Sequence, residues 1–363
     1  MKNGFLTFLF LLSLLISSNA FAYPEMIRHH YVNCLACHES PSGGGLLTPY
    51  GRTLSSELLS TWGDVKEARA FYGAIDQPFL KKWFNAGGDL RAVQFHLKNA
   101  QTKEDKFIRM QTGLETAFKY ENIKFVSFFG KQEADNMVRG KFLRYFLQYQ
   151  AMDQLTVRAG KFIPNFGINI AEHIWATRDA LGFDEGSERE QVEAMWSGEQ
   201  WNSSITYSKQ VRSDEIPKIE KAFNAQVNYS FLDSYRVGGD LWLGDQEGDS
   251  RQIYGVHALL GFTKKIYYLT EFDYQKGFDK HNGLYHFSKF GYEFIKGLHV
   301  IAIEDYQKSN LSDGLTLANS YGAGFEWYPR PHFDFEAVWS KKRVVVQSNE
   351  YSDYAYLMMH YYF

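Results

Sequence analysis

Cysteine is nearly missing from this 363-residue chain: Cys34 and Cys37 are the whole supply. No second cysteine pair exists to complete a four-ligand structural zinc site. A thioredoxin-like dithiol would sit beside a βαβ pattern, and none follows. Beyond the N-terminal segment there is also no apolar run of about 20 residues, which excludes a helical membrane protein. Charge of one sign is not in excess either. The net charge is −3 and the pI about 6.4, so nothing points to nucleic acid as a partner.

What the two cysteines do form is compact. Residues 33–38 read Asn-Cys-Leu-Ala-Cys-His, the Cys-x-x-Cys-His signature of c-type haem attachment. Each thiol can form a thioether to one vinyl group of a single porphyrin. His38 then stands where it can ligate the iron from one face. The N-terminus agrees with this chemistry. Lys2 precedes an apolar run from Phe5 to Ile16, and Ala20-Phe21-Ala22 ends in an Ala-x-Ala site. Residues 1–22 are therefore expected to be a secretory signal peptide, delivering the chain to the compartment where haem c is attached.

Aromatics are the opposite case. They make up 17% of the chain, with 24 Tyr and 30 Phe, against a mean hydropathy of −0.38. Outer-membrane barrels combine these features, since alternate residues face lipid and aromatic girdles mark both interfaces. The chain divides accordingly. Residues 23–82 form a small N-terminal segment with the haem motif and a Gly43-Gly44-Gly45 stretch. Short helices are expected over Leu54–Leu59 and from an N-cap at Asp64 to about Tyr72. From Trp83 to Phe363 the periodicity becomes two. Phe223, Ala225, Val227, Tyr229 and Phe231, for example, alternate with Asn224, Gln226, Asn228 and Ser230. Read this way, residues 83–363 hold about sixteen strands, with turns alternately short and long. Tyr120-Glu121-Asn122 is a short turn; 99–105, 164–187 and 245–250 are expected as long ones. The last strand places Ala355, Leu357, Met359, Tyr361 and the terminal Phe363 on one apolar face. The fold class is thus an all-β transmembrane barrel of about sixteen antiparallel strands behind a small α-helical cytochrome c segment, embedded in outer-membrane lipid.

A signal peptide, one haem-c motif and a porin-like barrel ending in Phe resemble the fused monohaem cytochrome–porins, whose best-studied members oxidise iron. The run Arg158-Ala159-Gly160-Lys161-Phe162-Ile163-Pro164-Asn165-Phe166-Gly167 is also similar to the phosphate-selective porins. The resemblance implies a bacterial outer-membrane location, thioethers on Cys34 and Cys37, His38 as proximal ligand, and electron exchange with periplasmic carriers. Fe²⁺ as the donor, with iron-oxidase-like activity, is implied by the resemblance alone.

Other site residues follow less directly. For the second axial position the candidates are His29 and His30, then Met26, or the lumen-facing His96, His257 and His360; an open site is the remaining option. Met110 is expected on the lipid face. Arg109, Arg144 and Arg158 are expected in the lumen as propionate contacts, with Lys119 and Lys161 near the strand ends. Asp240, Glu271, Asp273, Asp334 and Glu336 could attract a hard cation such as Fe²⁺. The haem segment is expected in the lumen or on its periplasmic side. Two other functions fit the same residues: a substrate-selective porin with a haem-bearing plug or gate, and a haem-based sensor.

Overall fold

The computed structural model describes residues 24–31, 34–74, 82–98, 103–132, 140–170, 175–211 and 218–363. The expected signal peptide lies outside these residues. Sixteen strands close into one antiparallel barrel, each pairing with its chain neighbours and β1 with β16. They are β1 (Phe84–Lys98), β2 (Lys103–Tyr120), β3 (Ile123–Gln132), β4 (Lys141–Gln150), β5 (Leu155–Phe162) and β6 (Arg189–Ser197). Next come β7 (Trp201–Gln210), β8 (Lys221–Phe231), β9 (Tyr235–Gln246), β10 (Asp249–Thr263) and β11 (Ile266–Lys276). The last five are β12 (Asn282–Ile295), β13 (Leu298–Lys308), β14 (Leu317–Trp327), β15 (Phe333–Val344) and β16 (Ser348–Tyr362).

The wall is the inverse of a soluble sheet. In β8, Phe223 and Val227 are exposed on the outside, while Asn224, Gln226, Asn228 and Ser230 are buried inside. Successive side chains of a strand point to opposite faces, so the period-two pattern becomes an apolar belt around a polar interior. The C-terminal residue closes the ring: Gly88 and Phe363 exchange both backbone hydrogen bonds at 3.0 Å.

Two bulges change the parity read from the sequence. Between β1 and β2 the register slips at Arg91/Ala92, leaving Met110 as the extra residue. Met110 accordingly packs against the interior cluster rather than lipid. Beyond the slip Arg109 shares the exposed outer parity of Phe107 and does not enter the lumen. A second slip at Phe128/Phe129 makes Leu143 the extra residue, buried inside, while Phe142 is exposed. The expected long loop at 245–250 is instead a two-residue hairpin turn. Glu247 (φ 57°) and Gly248 (φ 96°) both adopt positive φ, which matches the right-handed twist of the flanking strands.

Residues 24–31 and 34–74 lie against the inner wall, towards the short-turn end. The one α-helix among the described residues, α1 (Pro49–Leu54), starts at Thr48, whose hydroxyl accepts from the Gly51 amide at 3.1 Å. It passes into a wider turn, Ser55–Leu59. The helix expected from Asp64 to Tyr72 does not form. Asp64 does cap, accepting from the amides of Lys66 (2.7 Å) and Glu67 (3.0 Å). Phe71 and Tyr72 then take φ values of 48° and 54°. Their rings pack on Phe363 (4.8 Å) and His332 (5.0 Å) between centroids, and this tertiary packing overrides the helix.

Candidate functional site

The Cys34–His38 turn is built by local hydrogen bonds. The amides of Cys37 and His38 donate to the Cys34 carbonyl at 3.2 and 3.0 Å. Glu39 N donates to Leu46 O at 2.9 Å, so residues 39–46 form a closed loop. Gly43, Gly44 and Gly45 sit at φ 81°, 71° and 65°, where side chains with a Cβ are strained. α1 packs directly under the motif. A Cβ on Gly51 would lie 2.5 Å from the Cys37 carbonyl oxygen, and Thr48 donates to Ala36 O at 2.5 Å. Neither cysteine is in a disulfide. Burial pushes the Cys34 thiol above its ordinary range, although Arg236 opposes this.

His38 is buried, and its Nδ1 lies 3.2 Å from the Gly45 carbonyl oxygen. A carbonyl can only accept, so Nδ1 is the donor in this contact.

Two clefts flank the turn. The first holds about 1300 Å³ of empty space, part of it open to solvent, and is lined by His38, the glycine loop and aromatic rings of Phe128, Phe146 and Phe162. Arg91, Arg144 and Arg178 reach it, as do Asp89, Glu115, Asp184 and Glu185. Arg144 pairs with Glu185 at 3.2 Å and lies 4.7 Å from the Phe128 ring centre. Glu115 anchors the loop by accepting from Leu46 N at 2.7 Å. The second cleft, about 820 Å³, is lined by Cys34, Asn202, Asn228, Arg236 and His257.

The expected site residues separate in space. Arg144 lines the first cleft. Arg158 instead bonds Glu193 at 2.7 Å and donates to the Ser40 and Ser42 hydroxyls at 3.1 and 3.0 Å; it ties the loop to β5. Arg109 is outside. His29 accepts from Arg28 Nε at 3.2 Å and His30 is exposed; neither lines the two clefts. Met26 is buried with Leu59 and Tyr328. His96 bonds Asp105 at 2.5 Å, and His257 is held by Asp240 and Asn228, both at 2.7 Å. His360 is the barrel histidine that lines the same cleft as His38. Arg91 and Arg178 were missed. Arg91 has inward period-two parity that could have found it, whereas Arg178 sits in an irregular loop.

Asp240, Glu271 and Glu336 of the later strands have structural partners. Residues 163–170 fold inward, and their backbone donates to two of these carboxylates: Gly167 N to Asp240 at 3.0 Å, Ile168 N to Glu271 at 2.7 Å. Glu336 takes Lys289 at 3.3 Å. Asp273 and Asp334 are buried in the same wall. Among the described residues no group of three or more His, Cys, Asp or Glu is arranged to hold a metal ion.

No protein-family model and no curated protein matches the chain. Solved outer-membrane channels share its barrel. The channel DcaP of Acinetobacter baumannii superposes with TM-score 0.58 at 13% identity, over 77% of this chain and 97% of that one. A loop-deletion mutant of OmpT of Vibrio cholerae gives 0.59 at 11%, over 77% and 99%. Salmonella typhi OmpF, solved with daunomycin, gives 0.58 at 12%, over 77% and 97%. The chain therefore has the sixteen-strand barrel fold of the outer-membrane porins.

Proposed function

We propose that the protein is a bacterial outer-membrane channel of porin type, stoppered by its own N-terminal segment, and that this stopper carries one haem c. Channel character is supported by the porin-like barrel and its polar interior. Haem is supported by one observation above the rest, the donation from His38 Nδ1 to the Gly45 carbonyl. Metal-ligating histidines ordinarily give their other N–H to a carbonyl or carboxylate, which fixes the tautomer and leaves the remaining nitrogen for the metal. Cys34 and Cys37 would hold the macrocycle and His38 its iron. Aromatic walls beside Arg91 and Arg144 suit an apolar plate with anionic propionates. A haem bound there would supply one-electron exchange.

Selective passage of small solutes past the stopper is the leading reading, since the fold is that of a channel. Electron transfer, between a small donor such as Fe²⁺ and periplasmic carriers, is the second, favoured by the Cys-x-x-Cys-His turn. One set of measurements addresses both. The full chain, made with haem-attachment machinery, is expected to keep haem on a denaturing gel, and C34A/C37A to lose it. Haem that extracts from wild type into acidified solvent overturns the assignment. Stepwise conductance in planar bilayers with haem inert to Fe²⁺ supports the channel; prompt reduction without conductance supports electron transfer.

A further inference from the structure

Buried charges stud the inner wall on both sides of the barrel, but two adjacent strands between them carry none. The inward positions of β7, from Asn202 to Gln210, and of β8, from Ala222 to Ser230, hold only Asn, Gln, Ser, Thr and one Ala. The second cleft stands against this neutral lane. Gln226 and Asn228 line it with amides already spent within the protein. Gln226 donates to the Gly167 carbonyl at 3.0 Å and to Asp240 at 2.8 Å, and accepts from Asn228 Nδ2 at 3.1 Å. Asn228 Oδ1 lies 2.7 Å from His257 Nε2, and His257 Nδ1 lies 2.7 Å from Asp240. Asp240 is thereby covered, and among the described residues no carboxylate lines the cleft.

Asn202 is the exception to this self-pairing. It stands opposite Asn228 across β7–β8 and opposite Ser197 across β6–β7, and it lines the cleft. Among the described residues neither its Oδ1 nor its Nδ2 has a hydrogen-bond partner, although both atoms are buried. A primary amide offers two donors and an acceptor, and leaving such a group buried and unpaired costs about 1–3 kcal/mol. A hydroxyl, which also donates and accepts, is its complement. Met195 and Leu259, both buried, give the same cleft an apolar side. Arg236, which also lines it, is engaged with the Cys34 side chain. An ion entering here would give up its water without a counter-charge held ready for it, which is costly.

We propose that the second cleft binds a neutral, hydroxyl-rich solute, a sugar or polyol. Asn202 pairs with a hydroxyl, and Met195 and Leu259 take a C–H face of the same molecule. The empty volume of about 820 Å³ falls within the roughly 300–1,000 Å³ of small-molecule sites. The proposal rests on the channel reading, whose solute class it names, and not on haem.

The test is saturation-transfer NMR on the full chain in a sugar-free detergent, with glucose as the probe; it reads weak binding and needs no conductance. Saturable transfer to glucose is expected, and N202A should weaken it about tenfold, the scale of one or two net hydrogen bonds. Glucuronate, a similar ring carrying a carboxylate, should bind more weakly than glucose. Tetrahydropyran-2-methanol, which lacks the ring hydroxyls, should not displace it. Unheated gel migration reports that N202A is an assembled barrel; if it does not assemble, the two analogues on wild type decide the matter. Equal binding by wild type and an assembled N202A, glucuronate binding more tightly than glucose, displacement by the stripped ring, or no saturable transfer overturns the proposal. Planar-bilayer conductance of the same preparation separates the two readings. Glucose binding without conductance fells the channel and leaves the cleft assigned, whereas conductance without glucose binding fells this proposal alone.

Discussion

The stopper meets the barrel on two flanks of different physical character. Along β10–β16 the contact is dry and ionic. Ile27 is buried in one cluster with Trp175, Tyr267 and Phe287. Beside it the fully buried Arg28 lies 3.3 Å from His299 Nε2 and 3.5 Å from Glu293, over the face of Tyr267. Ser55 and Tyr362 share a 2.7 Å hydrogen bond. Along β2–β5 the contact is a glycine-rich loop touching polar side chains, Arg158, Glu115 and Lys124, around clefts. The late flank thus works as the anchor and the early flank as the side with room, and the Cys34–His38 turn faces that room. A stopper held this way can yield on the cleft side while the other side stays fixed.

The sharpest way to break this contrast is Arg28→Ala. Removing one partner of a buried ionic cluster takes the guanidinium from Glu293, leaving it His299 at 3.7 Å and the Gly297 amide at 2.9 Å, and costs about 3–5 kcal/mol. The barrel should still assemble, because no strand pairing passes through Arg28. Limited proteolysis is expected to cut residues 40–45 in the variant under conditions that spare wild type. Unchanged protection would show that the late flank is not the anchor.

Acid should tighten the same flank. Glu25 is buried, receives the Tyr328 hydroxyl at 3.3 Å, and is raised from 4.5 to about 7, chiefly by burial and next by the Glu326 charge. A carboxyl whose pKa rises on docking binds its proton more tightly in the docked state. The Glu25 contribution to docking is therefore full below pH 4.5 and is lost as pH climbs towards 7, by about 3 kcal/mol at most. Protease protection of residues 24–74 should fall from pH 5 to pH 8, and Glu25→Gln should flatten the curve. A variant as pH-sensitive as wild type would place the titrating group elsewhere.

How much of this could be read in advance depends on whether the cause is local. The wall was legible because each strand states its own alternation; Asn224, Gln226 and Asn228 needed no distant partner to be placed inside. The Cys34–His38 turn was legible as a unit because its five residues are contiguous. The bulges were not, since a single extra residue such as Met110 leaves no mark in an alternating string, and it sent Arg109 to the wrong face. The turn at Glu247-Gly248 depends on two positive φ values that only the hairpin reveals. The anchor was least legible: Arg28 meets Glu293 and His299 through closure of the barrel, and nothing near residue 28 announces it. For the same reason Asp240 and Glu271 looked like cation ligands until the inward residues Gly167 and Ile168 supplied the amides they accept.

The early flank should answer a matched deletion far more weakly. Arg158 keeps its buried pairing with Glu193 at 2.7 Å and its place against the Phe162 ring, 3.8 Å from the centre, whether or not the stopper is present. Ser42 contributes one hydroxyl to that guanidinium at 3.0 Å, and its backbone carbonyl separately takes Asn169 Nδ2 at 2.9 Å. Ser42→Ala removes the first contact and leaves the second. The net loss for one such hydrogen bond is about 1 kcal/mol, with no buried charge stranded. Proteolysis at residues 40–45 should rise about fivefold, well short of the effect of Arg28→Ala. If Ser42→Ala released the stopper as fully as Arg28→Ala, the two flanks would be equivalent and the anchor would have to be sought at β5.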